Sequence, residues 1–349
     1  MDSNTTYVTK ETKNKIRVDY EGKLSFKERF TKKLKESYTW IKIVMNFFRF
    51  ILMLGVSYVI LYPFLTKIAG SFMTKEDIVD ATVSLIPKHF TLEIYNAIIT
   101  ENHYFQALFN TLMLSLLCAI FQTFVACLIG YGLAKFKFKG NKLIMVMVVV
   151  TMIIPHATMK LALIQHFTNF DILTVIAWNY TGPIELILGE PLHLTNSYWP
   201  LVLLSVFGLA FKNGLYIYLM RQFFKGVPDE LEESAYVDGS GTFRTFFQII
   251  LPLSVPMMIT IFLFSFSWQW TDEFYTKIFF FSDIDKIYLM PDIINNVPRT
   301  LMTEYAGQEL YYNVINNTAG MMAIAPLIIL YLFCQRYLVQ GIERSGLVG

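Results

Sequence analysis

The chain has 349 residues, of which 54% are hydrophobic, 16% aromatic and only 16% charged, with a net charge of +2. Those proportions exclude an ordinary soluble domain and place the chain in a lipid bilayer, with no nucleic-acid partner expected. In chain order, residues 1–42 form a hydrophilic tail dense in Lys10, Lys13, Lys15, Arg17, Lys23, Lys27, Arg29, Lys32, Lys33 and Lys35. The tail lacks the short apolar core and small-residue cleavage site of a secretion signal, so the first apolar run is expected to be a retained anchor. A bilayer core about 30 Å thick takes roughly 20 apolar residues as a helix. Six segments approach or exceed that length, at about 44–66, 107–134, 143–166, 199–224, 250–271 and 318–339. The expected fold is all-α and polytopic, with six transmembrane helices in a domain over 43–349.

Orientation follows from the excess of lysine and arginine in cytoplasmic loops. The tail is basic, Lys135, Lys137, Lys139 and Lys142 lie between the second and third spans, and no lysine or arginine occurs from Leu161 to Phe211. Both termini are therefore expected in the cytoplasm. Asp77, Asp80, Glu93 and Glu101 then fall outside, together with an extended outer connection near 178–197.

No catalytic centre is legible. Cys118, Cys127 and Cys334 fall inside expected spans, the five histidines have no ligand spacing, and no GxxxxGK[ST] phosphate loop is present. No metal site is expected. "GYG" at 130–132 reads as small residues that let neighbouring helices approach.

Between the fourth and fifth spans the chain breaks its apolar pattern with "GVPDELEESAYVDGSGTFRTFFQIILP" over 226–252. Pro228 suits a first helical turn, and Asp229, Glu230, Glu232 and Glu233 lie where the helix dipole favours negative charge. Gly239 is placed to end that helix through positive φ. Phe243, Phe246, Phe247 and Ile250 then recur at helical spacing and lead through Pro252 into the next span. The expectation is a helix-turn-helix on the cytoplasmic face. Its residues alone fit either a solvated connector or a docking element, with Ser234 and Ala235 beside Tyr236 offering a shape suited to a groove.

The same stretch resembles the EAA loop of binding-protein-dependent ABC importer permeases, E-A-A, three residues, G, nine residues, I-x-L-P. Glu233, Ala235, Gly239, Ile249, Leu251 and Pro252 fall in register, Asp238 precedes the glycine as is usual there, and Ser234 replaces the first alanine. "FNTLMLS" at 109–115, "GYGLAKFKFKG" at 130–140, "YLMRQFF" before the loop and "QRYLVQGIERSGLVG" at the C-terminus are similar to the sugar-importer branch, the MalG-like subunits. The resemblance implies the type I importer permease fold in a bacterial inner membrane. It also implies a second homologous permease, two ATP-binding cassette subunits and an extracytoplasmic sugar-binding protein. ATP and magnesium would be held by the ATPase partners and no cofactor by this chain. The implied activity is import of a sugar or oligosaccharide; a permease for a non-sugar solute, and from a different class a membrane-embedded enzyme or scaffold, stand as alternatives.

Candidates for the translocation pathway are read from the residues. Lys212 and Asn213 lie near the middle of the fourth expected span, where a charge is costly, and line a pathway or pair with a neighbouring subunit. Trp268, Trp270 and Asp272 lie at the end of the fifth, as sugar-stacking faces beside an acid or as an interfacial aromatic belt.

Overall fold

A computed structural model describes residues 8–11, 17–20, 37–171, 183–281, 287–305 and 307–346. Much of the basic tail and the 178–182 part of the expected outer connection lie outside the described residues. The contacts divide the chain into two units, Met1–Thr66 and Lys67–Gly349. The fold is mostly helical, and the first unit adds one short hairpin to the expected helices. Its tail contains β1 (Val8–Glu11) and β2 (Arg17–Tyr20), paired antiparallel with Val8 opposite Tyr20. Both segments carry β-branched residues, which favour extended backbone. The helix α1 (Ser37–Gly70) then begins in this unit.

The second unit is helical. In order it comprises α2 (Lys75–Val79), α3 (Glu93–Glu101), α4 (Tyr104–Lys135) and α5 (Asn141–Ile153). A 3₁₀ turn (His156–Met159) leads to α6 (Lys160–Thr168), α7 (Pro183–Leu188), α8 (Trp199–Val206) and α9 (Asn213–Lys225). Next come α10 (Glu230–Val237), α11 (Thr242–Thr245), a π-helical turn (Phe246–Ile250) and α12 (Leu251–Trp270). The last elements are α13 (Phe274–Phe279), α14 (Met290–Asn295), α15 (Arg299–Glu304) and α16 (Glu309–Gly346).

Among the described residues, four helical stretches are long and apolar enough to cross a bilayer, at Trp40–Gly70, Tyr104–Lys135, Thr242–Trp270 and Glu309–Leu338. The apolar run expected as a span over 143–166 is instead bent by 93° between α5 and the helices after Pro155. Proline cannot donate to the preceding turn, and the residue before it is pushed to extended backbone; Ile154 has ψ 121°. The span expected over 199–224 is also not continuous. It is split into α8 and α9 by a turn in which Gly208 has φ +73° and Lys212 φ +65°, values that no right-handed helix accommodates.

α4 is the centre of the bundle, with α8, α9 and α12 packed along it and α16 packed on α12. Polar side chains help bring these helices together. Gln122 Nε2 on α4 donates to Ser205 Oγ on α8 at 3.1 Å, and its Oε1 accepts from Ser265 Oγ on α12 at 2.8 Å. All three residues are buried, the setting in which an interhelical hydrogen bond keeps polar atoms out of hydrocarbon.

α4 and α9 cross closely at Gly130, where a Cβ would lie 2.6 Å from Met220 Cβ and 2.9 Å from the Arg221 backbone nitrogen. Gly132 has no atom within 4 Å of the same position. Of the glycine pair, only Gly130 serves the close approach. Gly130→Ala is expected to lower stability by about 1–3 kcal/mol through overpacking, whereas Gly132→Ala gains helix propensity without a clash. Thermal unfolding of the two purified variants checks the contrast, and equal melting temperatures would contradict it.

Candidate functional site

The stretch 226–252 forms two short helices joined by a tight turn. Gly239, with φ +80°, ends α10 in a Schellman arrangement: the Gly239 N–H donates to the Tyr236 carbonyl at 3.0 Å and the Ser240 N–H to the Ala235 carbonyl at 2.9 Å. α11 then continues through the π-helical turn into α12, forming one apolar stretch from Thr242 to Trp270. The π turn lies immediately before Pro252, which has no N–H to close a regular turn.

The two faces of this element differ. Leu231, Glu233, Ser234, Tyr236, Val237 and Asp238 are exposed on α10 and its end, and Val237 and Phe243 are 87% and 82% exposed. Ile249 and Leu251 are partly buried at the base of α12, where they pack on the core formed by Tyr131, Phe224, Phe246 and Ile250. The small pair expected together on an outer face is divided: Ser234 is exposed, whereas Ala235 is buried against its own chain. The inward acid is Glu232, one residue before the motif glutamate.

What holds the inward face is the end of α4. Lys135 Nζ donates to the Val227 carbonyl at 2.6 Å and to Asp229 Oδ1 at 2.5 Å, and lies 3.8 Å from Glu232 Oε1. Tyr131 OH donates to Glu232 Oε2 at 3.4 Å, and the Tyr131 ring lies 4.8 Å from that of Phe246. The Lys135 side chain is only 6% exposed. Its hydrogen bond holds the Asp229 carboxyl below the usual range, whereas burial raises Glu232 against the opposing pull of Lys135. In the sequence Lys135 reads only as a topology signal, because its partners lie more than ninety residues away.

The second group of candidates gathers at the α8–α9 break. Lys212 is not mid-helix but caps α9. Its ammonium lies 4.7 Å from the Phe211 ring centroid and 5.0 Å from that of Trp268, close enough for the attraction of a cation to an aromatic face. Asn213 is fully buried, and both polar atoms of its amide lack a hydrogen-bond partner among the described residues. Asp272 Oδ1 accepts from the Tyr275 N–H at 3.3 Å, while its Oδ2 and the nearby Gln269 Nε2 are buried without a partner among the described residues. Gln122, Phe211, Trp268, Gln269, Asp272 and Tyr275 border a cavity of about 10 Å³, room for about one water.

Trp270 does not belong to this group. It is 2% exposed, stacks on Phe266 and donates from Nε1 to the Ala323 carbonyl of α16 at 2.9 Å. The helical period separates positions two apart by about 200°, so Trp268 and Trp270 face opposite sides, a signal present in the sequence.

Residues 122–344 match the family described as binding-protein-dependent transport system inner membrane component. The chain belongs to that family. Among curated relatives of this inner membrane component is the polygalacturonan/rhamnogalacturonan transport system permease protein YtcP of Bacillus subtilis (strain 168), 27% identical over 87% of this chain and 98% of that protein. The galactooligosaccharides transport system permease protein GanQ of the same organism is 25% identical over 86% of this chain and 95% of that one. A solved chain from a bacterial ABC transporter involved in the import of the acidic polysaccharide alginate superposes with a TM-score of 0.59 at 19% identity, covering 86% of this chain and 98% of that chain. Family membership makes this chain a transport subunit of the inner membrane, and both the α10–α11 element and the α8–α9 break lie within the matched residues.

Proposed function

We propose that this chain is one of two permease subunits of an ATP-driven importer. It passes a sugar or oligosaccharide delivered by an extracytoplasmic binding protein, and α10 and α11 are where a cytoplasmic ATPase docks. The observation that carries the reading is the two-faced α10–α11 element: its inner face is anchored by Lys135 and Tyr131, and its outer face leaves Glu233, Tyr236, Val237 and Phe243 exposed. A connector has no need of a rigid base; a surface that receives force does. The carbohydrate assignment is supported by the relatives named for polygalacturonan, galactooligosaccharides and, in Bacillus subtilis AraQ, arabinooligosaccharides.

Six crossings, with both termini in the cytoplasm, fit this function when the bent α5–α6 pair and the broken α8–α9 pair each count as one. Lys212, Asn213, Trp268 and Asp272 then border the solute path, and the left-handed break at Lys212 supplies the irregular backbone that membrane proteins tolerate beside a cavity. ATP and magnesium belong to the ATPase partners in this scheme.

The test combines topology with uptake. In a background lacking the native cysteines, Lys139→Cys and Gly241→Cys should resist an impermeant thiol reagent in intact cells, while Asn196→Cys should react. Labelling of Lys139→Cys from outside would overturn the six-crossing scheme. Cells lacking the chain should lose binding-protein-dependent uptake of at least one labelled oligosaccharide from a panel of galacturonan, galactan and arabinan fragments. Unimpaired uptake of the whole panel, with loss of peptide or anion uptake instead, would sink the carbohydrate reading.

A further inference from the structure

α4 is tied at both of its ends. Near the first end, Asn110 Nδ2 donates to the Tyr288 carbonyl at 3.1 Å, and Thr111 Oγ1 accepts from the Met290 N–H at 2.9 Å. These bonds fasten α4 to the segment that enters α14. At the other end Lys135 reaches Val227, Asp229 and Glu232 at the start of α10. Between Thr111 and Lys135 the helix is unbroken, a span of about 36 Å at 1.5 Å per residue.

We infer that Lys135 is a positioning residue, the joint that makes α10 and α4 move as one body, so that displacement of α10 is delivered along α4 to the segment at 288–292. The inference rests on the proposed docking of an ATPase on α10. Three features make Lys135 the joint. Its side chain is almost wholly buried and that of Glu232 is 11% exposed, so the attraction between them is less screened by water than the pair with Asp229, which is 78% exposed. It sits at the C-terminal end of α4, where the helix dipole favours a positive charge. It bonds both the backbone and a side chain of the segment that starts α10, which fixes that segment in position as well as in charge. A packed apolar contact such as Tyr131 on Phe246 can slide; a lysine held by a carbonyl and two carboxylates resists sliding.

The test uses the whole importer in lipid nanodiscs, with spin labels at the exposed positions Glu230 on α10 and Lys137 beyond α4. Distances are measured without nucleotide and after trapping with MgATP and orthovanadate. In the parent the distance should be unchanged by trapping. In Lys135→Met the complex should still assemble, but the distance should shift or spread on trapping. Stimulation of ATP hydrolysis by the binding protein should fall at least about tenfold, because the buried Glu232 loses its counter-charge. Lys135→Arg should restore most of the stimulation and the unshifted distance, because it keeps the charge and the donors that meet Val227, Asp229 and Glu232; stimulation lost in Lys135→Met with the distance unmoved on trapping would mark Lys135 as merely structural and overturn the joint. If Lys135→Met fails to insert, the arginine variant decides: parental stimulation with the distance unshifted on trapping supports the joint, and a shifted distance or lost stimulation overturns it.

An unshifted distance with parental stimulation in Lys135→Met also overturns the joint. Gly239→Val separates the two readings. If it loses stimulation while Lys135→Met keeps it, only the joint is wrong; if both keep it, the docking of an ATPase on α10 is wrong as well.

Discussion

Trp270→Ala is expected to be the most damaging single substitution at the end of α12. Removing a fully buried tryptophan costs about 3–5 kcal/mol, and here it also leaves the Ala323 carbonyl of α16 without its indole donor. The cavity would open inside the cluster that also holds Phe266, Ile293, Tyr311 and Ile315, so α12, α14 and α16 would loosen together. The expected result is a marked fall in the amount of folded protein recovered from the membrane and a lower unfolding temperature for what remains. Trp268→Ala, two residues away, should leave abundance near that of the parent, because its ring is half exposed and meets Lys212 and Phe211. If Trp268 borders the solute path its loss should instead reduce uptake, by an amount on the order of one aromatic contact, about 1 kcal/mol. Normal abundance of Trp270→Ala, measured beside Trp268→Ala in the same membranes, would show that the α12–α16 contact is not needed for folding.

Gly239→Val should abolish coupling while sparing insertion. A valine at φ +80° costs about 1–2 kcal/mol or more through its own backbone sterics, and nothing lies within 4 Å of the new Cβ. The penalty is therefore conformational and falls on the turn that sets α10 against α11. Glu233→Lys acts on the same element from its exposed face, placing a positive charge in the first turn of α10 against its dipole. Both variants are expected at normal abundance, with weakened ATPase co-purification or lost stimulation of hydrolysis by the binding protein. Reconstituted complexes carrying both changes that transport and hydrolyse ATP like the parent would reduce the loop to a connector.

Whatever is local in this fold is legible in the residues. Long apolar runs dictate membrane helices because backbone polar groups in lipid must be satisfied within the segment. Gly239 ends α10 with positive φ because a residue without Cβ adopts that backbone at no steric cost, and the motif spacing located the element without any coordinates. Tertiary structure decided which residues face which neighbours. The 199–224 run reads as one apolar span, yet it breaks where Gly208 and Lys212 take left-handed backbone and the Lys212 ammonium settles against Phe211 and Trp268. Ser234 and Ala235 are adjacent in sequence, but only Ala235 is buried, because α10 lies against the end of α4. Lys135 looks like one more basic loop residue until the fold brings Val227, Asp229 and Glu232 to it. That contact joins residues more than ninety positions apart, and no periodicity or propensity encodes it: α9 packs closely on α4 at Gly130, and the chain leaving α9 then passes the end of α4, where Lys135 meets it.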